Sequence, residues 1–215
     1  MIGTVLLGAV LLFALAAVFA ETQGKTNEGK ICAALTSVAA IGAAAALFAA
    51  ILSDDFSYNY VVSYSSISLP LLYKISAFWA GQQGSFLLWV VIHAVVGILI
   101  ARSGRMTATG RIIYHMLTVM LVLLVLFKSP FAPAEIIAMD GHGMNPLLQD
   151  PWMAVHPPII FVGYALLAVP FAYSIESMIK TPMDAAFLAP MRHWTLIAWA
   201  FLGAGIFIGG YWAYK

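Results

Sequence analysis

Apolar residues fall into six long stretches, at about 2–20, 31–52, 85–101, 112–127, 154–175 and 193–213, with polar or mixed segments between them. Most come close to the roughly 20 residues that cross a bilayer as helix. Two, 85–101 and 112–127, are short, and their ends are expected to extend into the neighbouring loops. The pattern predicts an all-α, polytopic membrane bundle of about six transmembrane helices, organised as a single membrane domain over 1–215. The first stretch has a signal-peptide look, because Val18-Phe19-Ala20 mimics a cleavage site. It lacks a basic segment ahead of a long apolar core, so it reads as a retained helix.

The charges between the stretches set an orientation. Segments 21–30, 102–111 and 176–192 hold Lys25, Lys30, Arg102, Arg105, Arg111, Lys180 and Arg192, while the alternate segments and the tail hold Lys74, Lys128 and Lys215. The richer set belongs in the cytoplasm. Both termini and the two long loops, about 53–84 and 128–153, are then outside. Loops carry function more often than spans do, so the working surface is expected to face outward.

Composition supports the membrane reading and removes other classes. The chain is 63% hydrophobic and 9% charged, against roughly 25% charged in soluble domains. A net charge of +1 gives no footprint for nucleic acid. Cys32 is the single cysteine, so the chain has neither dithiol chemistry nor a CxxCH haem-attachment site; it reads as a small packing residue. No internal repeat or low-complexity linker is visible. Gly205 and Gly209 form a GxxxG spacing in the last stretch. Such a spacing lets helix backbones approach closely, within the chain or between copies.

Five histidines are the main candidates for chemistry. His115 and His193 lie near cytoplasmic ends and read as interfacial anchors. His142 sits between two glycines in an external loop. His93 lies eight residues into its span, about 12 Å deep at 1.5 Å per residue. It is a functional candidate by depth, or a neutral imidazole bonded to a neighbouring helix. His156 is followed by Pro157 and Pro158. Prolines are tolerated in the first helical turn, and the residue before a proline is pushed toward extended geometry. His156 is therefore expected at or beside an N-cap on the outer face. There the helix dipole disfavours imidazolium, and the neutral ring is the form that binds a metal. A capping histidine and a haem-iron ligand both fit that position.

The external segment "LPLLYKISAFWAGQQGSFLLW", 69–89, is dense in aromatic residues with Lys74 as its one charge. An interfacial aromatic belt and a wall against a flat porphyrin would use the same residues. Lys74 could meet a haem propionate or lipid headgroups. Gly81 and Gly84 point to a tight re-entry into the next helix, which Ser85 could cap.

This segment resembles the W-G-G-x-x-G-S-x-L-L-W stretch of the cytochrome c-type biogenesis protein CcmF family, with Ala80 at the second position. "MNPLLQDPWMAVHPPIIFVGYALLAVPFA", 144–172, is similar to that family's N-P-x-L-Q-D-P-x-x-x-x-H-P-P-x-x-x-x-G-Y stretch. The resemblance runs from near the start to residue 215. It implies a role in cytochrome c maturation: a membrane haem lyase component that helps attach haem to apocytochrome c on the external, periplasmic side of a bacterial inner membrane. It makes His156 one of two axial ligands to haem iron. Trp79, Gly81, Gly84, Ser85, Trp89, Asn145, Gln149, Asp150 and Pro157 become motif residues or the wall of the haem site. Gln149 and Asp150 are placed to order the loop or to bond His156. The implied partners are the remainder of a CcmF-like protein or a split subunit, a haem-carrier protein, and apocytochrome c with its thiol-reducing partner.

The chain departs from the family at "GGYWAYK", where the family's tryptophan-rich segment would begin. That segment and the second axial histidine are not in this sequence. The expectation is a fragment, a split subunit or a truncated gene that binds haem weakly or not at all alone. The haem-handling relatives CcmC and CcsA carry the tryptophan-rich loop, and CcmC carries it mid-chain, so the likeness to CcmF is favoured. Two other functions compete: a docking subunit with no ligand of its own, and a small-solute transporter. Against the transporter, no apolar stretch holds an acidic residue, His93 is the clear deep ionisable group, and Pro170 is the one candidate helix break.

Overall fold

The computed structural model describes residues 2–136, 138–180 and 185–215. Among them the chain is helical, with no strand beyond an isolated bridge between Tyr58 and Pro133. The helices are α1 (Ile2–Thr22), α2 (Thr26–Leu52), α3 (Asn59–Tyr64), α4 (Leu71–Ala80), α5 (Gln82–Ser103), α6 (Ala108–Phe127), α7 (Pro151–Lys180) and α8 (Ala185–Tyr214). Six of them, α1, α2 and α5–α8, are long and apolar enough to cross a membrane. Helices suit that solvent because every backbone polar group in their interior is bonded within the segment. The two short stretches do gain their ends from the loops, as α5 and α6 show. Residues 181–184, in the cytoplasmic segment expected at 176–192, lie outside the described residues, as does the Lys180 side chain.

The spans pack as two layers that share α5 and α6. In one, α1 lies on α2 and α6, and α2 lies on α5, around Leu7, Val10, Ala40, Ala43, Leu47, Leu87, Val90 and Val122. In the other, α7 packs on α5 and α6 and forms a close hairpin with α8, around Val96, Ile100, Tyr114, Ala165, Val169 and Tyr173. Small residues bring α7 and α8 together. A Cβ at Gly163 would meet Leu202 Cγ and Cδ2 at 2.6 Å, and one at Gly205 would meet Ile160 side-chain carbons at 2.6 Å. The GxxxG spacing thus serves packing within the chain.

The long connections gather at one end of the bundle and the short turns at the other. At the short-turn end, Gly104 (φ +65°) closes α5 in the left-handed region, where a side chain would be strained. At the other end the two long connections are laced together. Asn59 N–H donates to the Ala132 carbonyl at 3.0 Å, Ala134 N–H to Ser57 at 2.8 Å and His142 N–H to Val62 at 2.7 Å. Ile67 N–H donates to Asp140 Oδ1 at 2.9 Å. Lys128 Nζ reaches Gln82 Oε1 at 3.2 Å, joining the end of α6 to the start of α5.

Two ionisable residues overlooked in the sequence lie inside span helices. α1 continues past its apolar stretch through Glu21 to Thr22, and α7 through Glu176 to Lys180; both glutamates are buried. The expectation of spans free of acid is corrected accordingly. Arg111 of α6 donates from Nε and Nη2 to the Glu21 carboxylate at 2.7 Å each, and from Nη1 to the Met106 carbonyl. A fork of this kind satisfies both charges where water cannot. Glu176 Oε1 accepts the Thr107 N–H at 3.3 Å, beside the start of α6. His115 is buried near this group rather than anchored at the interface. Pro170 does not break α7, which is continuous across it.

Candidate functional site

The local sequence around His156 begins its helix earlier than the two prolines suggest. Asp150 Oδ1 accepts the Trp152 N–H at 2.8 Å, an N-cap bond, and Pro151 takes the first helical position. His156 therefore lies inside α7, five residues past its start, about 7–8 Å along the axis. This corrects its expected place at the cap. Pro157 and Pro158 are interior, so the carbonyls of Met153 and Ala154 lack their usual donors four residues on.

The His156 ring is half-buried and faces α8. Its Nδ1 lies 2.8 Å from the Gly205 carbonyl oxygen, 49 residues away. Among the described residues Nε2 has no hydrogen-bond partner. Trp152, one turn before, meets Tyr211 of α8 edge to face, with centroids 5.1 Å apart.

The loop before α7 is ordered by its own polar side chains. Asn145 Oδ1 accepts the Leu147 N–H at 3.0 Å and caps a 3-10 turn over Pro146–Leu148. Gln149 Nε2 donates to the Met144 carbonyl at 2.8 Å. Gln149 and Asp150 thus order the loop, and neither bonds His156. Asn145, Gln149 and Asp150 share a groove of about 540 Å³ with Trp212, Ala213 and Lys215 at the end of α8. The 145–150 motif and the α8 terminus therefore meet at the mouth of the hairpin that carries His156.

The 69–89 segment builds a separate unit. Tyr60 Oη accepts the Gly81 N–H at 3.1 Å and lies 2.9 Å from the Ala77 and Phe78 carbonyls, to which its O–H donates. Burial pushes this phenol well above its ordinary range. A Cβ at Gly84 would sit 1.8 Å from the Phe78 carbonyl oxygen, so the turn between α4 and α5 closes only on glycine. Gly81 is the N-cap of α5; Ser85, expected there, sits inside the helix and donates to the Trp79 carbonyl at 2.8 Å. Lys74 pairs with both oxygens of Asp54 at 2.6 Å, which ties the start of α4 to the end of α2. Among the described residues the buried indole N–H groups of Trp79 and Trp89 meet no hydrogen-bond partner. Trp89 packs on Phe161 and Tyr164 of α7, one to two turns below His156. The 69–89 segment touches α7 through Trp89 and through α4, while the polar contacts and close approaches of Gly81, Gly84 and Ser85 lie within α3–α5.

The other histidines take different roles. His93 is buried, stacked on Tyr114 with centroids 4.1 Å apart, and its Nε2 lies 3.4 Å from the Tyr114 carbonyl. It lines a largely apolar cavity of about 570 Å³ between α5, α6, α7 and α8. His142 and His193 are exposed. Among the described residues no group of three or more His, Cys, Asp or Glu is placed to hold a metal ion. A haem iron differs from such a centre in needing only axial donors. His156 fits that need on one side, with Nδ1 occupied and Nε2 open.

The fold and this site define a polytopic membrane protein that presents one imidazole at the loop-rich mouth of a helical hairpin. The chain belongs to the cytochrome c assembly protein family, whose sequence model matches residues 79–215. It is 40% identical over 176 residues to the cytochrome c-type biogenesis protein ccl1 of Rhodobacter capsulatus, covering 79% of this chain and 27% of that protein. It is 33% identical over 218 residues to the cytochrome c-type biogenesis protein CcmF of Escherichia coli, covering 97% of this chain and 34% of that protein. A solved structure of cytochrome c heme lyase CcmF superposes on all of this chain with a TM-score of 0.82, at 27% identity and over 36% of its own length. The chain thus spans about a quarter to a third of the relatives it matches.

Proposed function

We propose that this chain is one part of a membrane platform that holds haem on the external face for covalent attachment to apocytochrome c, with His156 as one axial iron ligand through Nε2. The observation that carries the reading is the His156 ring itself, with Nδ1 bound to the Gly205 carbonyl at 2.8 Å and Nε2 free at the mouth of the α7–α8 hairpin. A ligating histidine commonly has its other nitrogen held by an acceptor in this way. The kinship with cytochrome c-type biogenesis proteins supports the chemistry.

Haem, when bound, supplies vinyl groups across which cysteine S–H bonds add to form thioethers. The residues of this chain position it. His156 offers the electron pair; the ordered 145–150 loop and Trp212 supply the adjoining groove. A further iron ligand would be supplied by the rest of a CcmF-like polypeptide or by a split subunit. A haem-carrier protein and a thiol-reducing partner complete the external assembly. The excess of Lys and Arg at the short-turn end supports a cytoplasmic position for that end, and with it a periplasmic one, in a bacterial inner membrane, for the long connections and His156.

A second reading, a docking subunit without a ligand, draws support from α8. Only 11% of its most apolar stretch is buried, against 50% in α5 and α6, so most of its perimeter is open to another helix. Complexes purified from membranes through this chain separate the two. The ligand reading expects the haem absorption to fall at least tenfold in His156→Ala with the complex still assembled. Unchanged haem in the assembled variant overturns it in favour of docking.

A further inference from the structure

Two residues without side chains decide how His156 is held. The Gly205 carbonyl oxygen only accepts hydrogen bonds, so the His156 nitrogen 2.8 Å from it, Nδ1, carries the proton. In the neutral ring Nε2 then keeps its lone pair. Gly209 lies one turn further along α8, on the same side. A Cβ there would stand 2.6 Å from His156 Cε1, 2.8 Å from Nδ1 and 3.2 Å from Nε2. Ordinary van der Waals contact of a Cβ begins at 3.4 Å. The atoms in the way belong to a ring tied by its own hydrogen bond, not to the end of a flexible chain.

The α7 side makes this seat more important. Pro157 and Pro158 remove two N–H donors from the turns around His156. That part of α7 has fewer internal bonds, so the ring takes its placement from α8. Gly163 and Gly205 bring the two backbones close enough for the contact to form.

We propose that Gly205 and Gly209 are positioning residues for His156: the Gly205 carbonyl and the bare Gly209 backbone set the imidazole as its Nδ1–H tautomer, with Nε2 left as the electron-pair donor. The use made of Nε2 rests on the haem reading above; the tautomer and the seat rest on the α7–α8 geometry. Two other α8 glycines are built-in controls, because a Cβ at Gly203 or Gly210 meets nothing within 4 Å.

The test uses the 215-residue chain in lipid bilayers at mildly alkaline pH, with ¹⁵N-labelled histidine rings and solid-state NMR. His156 signals are assigned by their loss in His156→Gln. The expected wild-type spectrum has Nδ1 protonated and Nε2 bare. Gly209→Ala shifts His156 to a mixture of tautomers, while Gly203→Ala and Gly210→Ala leave it unchanged. An Nε2–H tautomer in the wild-type chain overturns the proposal, whatever the variants do. So does a Gly209→Ala spectrum identical to that of Gly210→Ala. The two readings fail separately: haem retained by His156→Ala removes the ligand role but not the seat, and an Nε2–H tautomer removes the seat but not the ligand role.

Discussion

The α1–α6 block and the α7–α8 hairpin are both apolar spans, but they are fastened differently. The block is tied by polar contacts between distant segments. Arg111 grips Glu21 across 90 residues, Lys74 grips Asp54, and Tyr60 gathers the α4–α5 turn. Its two long connections are hydrogen-bonded to each other. The hairpin is fastened mainly by close backbone approach at Gly163, Gly205 and Gly209, with aromatic contacts to Trp89 and one carboxylate contact from Glu176 to Thr107. The block is a frame. The hairpin is a thin arm that carries the candidate ligand and leaves its outer flank open.

The difference can be broken first at the buried ion pair. Arg111→Ala leaves the buried Glu21 carboxyl without its partner, a loss of about 3–5 kcal/mol for a buried pair with one partner removed. Thermal unfolding in detergent should show a large drop in midpoint, and Arg111→Lys should recover only part of it, since a single ammonium lacks the fork. A wild-type midpoint in Arg111→Ala would mean that the block does not depend on this tie.

A smaller effect is expected at Tyr60. Tyr60→Phe leaves the buried Gly81 N–H without its acceptor, at a cost of about 1–3 kcal/mol. Proteolysis within 53–84 should accelerate, while the His156 tautomer stays unchanged because the hairpin is fastened separately. A changed tautomer would show that frame and arm are coupled. The least effect belongs to Lys74→Ala. The Lys74 and Asp54 side chains keep 12% and 22% of their surface exposed, so water can reach the unpaired Asp54 and the loss, about 1–2 kcal/mol, falls short of that of the fully buried Arg111–Glu21 pair. The loss should shrink only slightly as salt is raised.

The frame was largely legible in the sequence because span length and apolar content are local signals. The boundaries of α5 and α6 were blurred by Gln82, Gln83, Arg102 and Thr109, which helices carry at their ends without difficulty. Glu21 and Glu176 escaped notice because each apolar run stops one residue short of them, and their partners lie 90 and 69 residues away. The start of α7 was misjudged for a different reason. Two proline signals competed, Asp150-Pro151 and Pro157-Pro158, and the capping bond of Asp150 decided for the first. His156 could be singled out from its own motif. Its contact with Gly205 could not, because only the packing of α7 on α8 brings them together.

The central claim is that the arm presents an iron ligand and the frame only supports it. Its most direct measurement is the haem content of the assembled membrane complex, by absorption, in wild type and His156→Ala, with assembly checked by co-purification. The account predicts an intact complex that has lost its haem signal at least tenfold. An intact His156→Ala complex with wild-type haem content and an unchanged spectrum would contradict it.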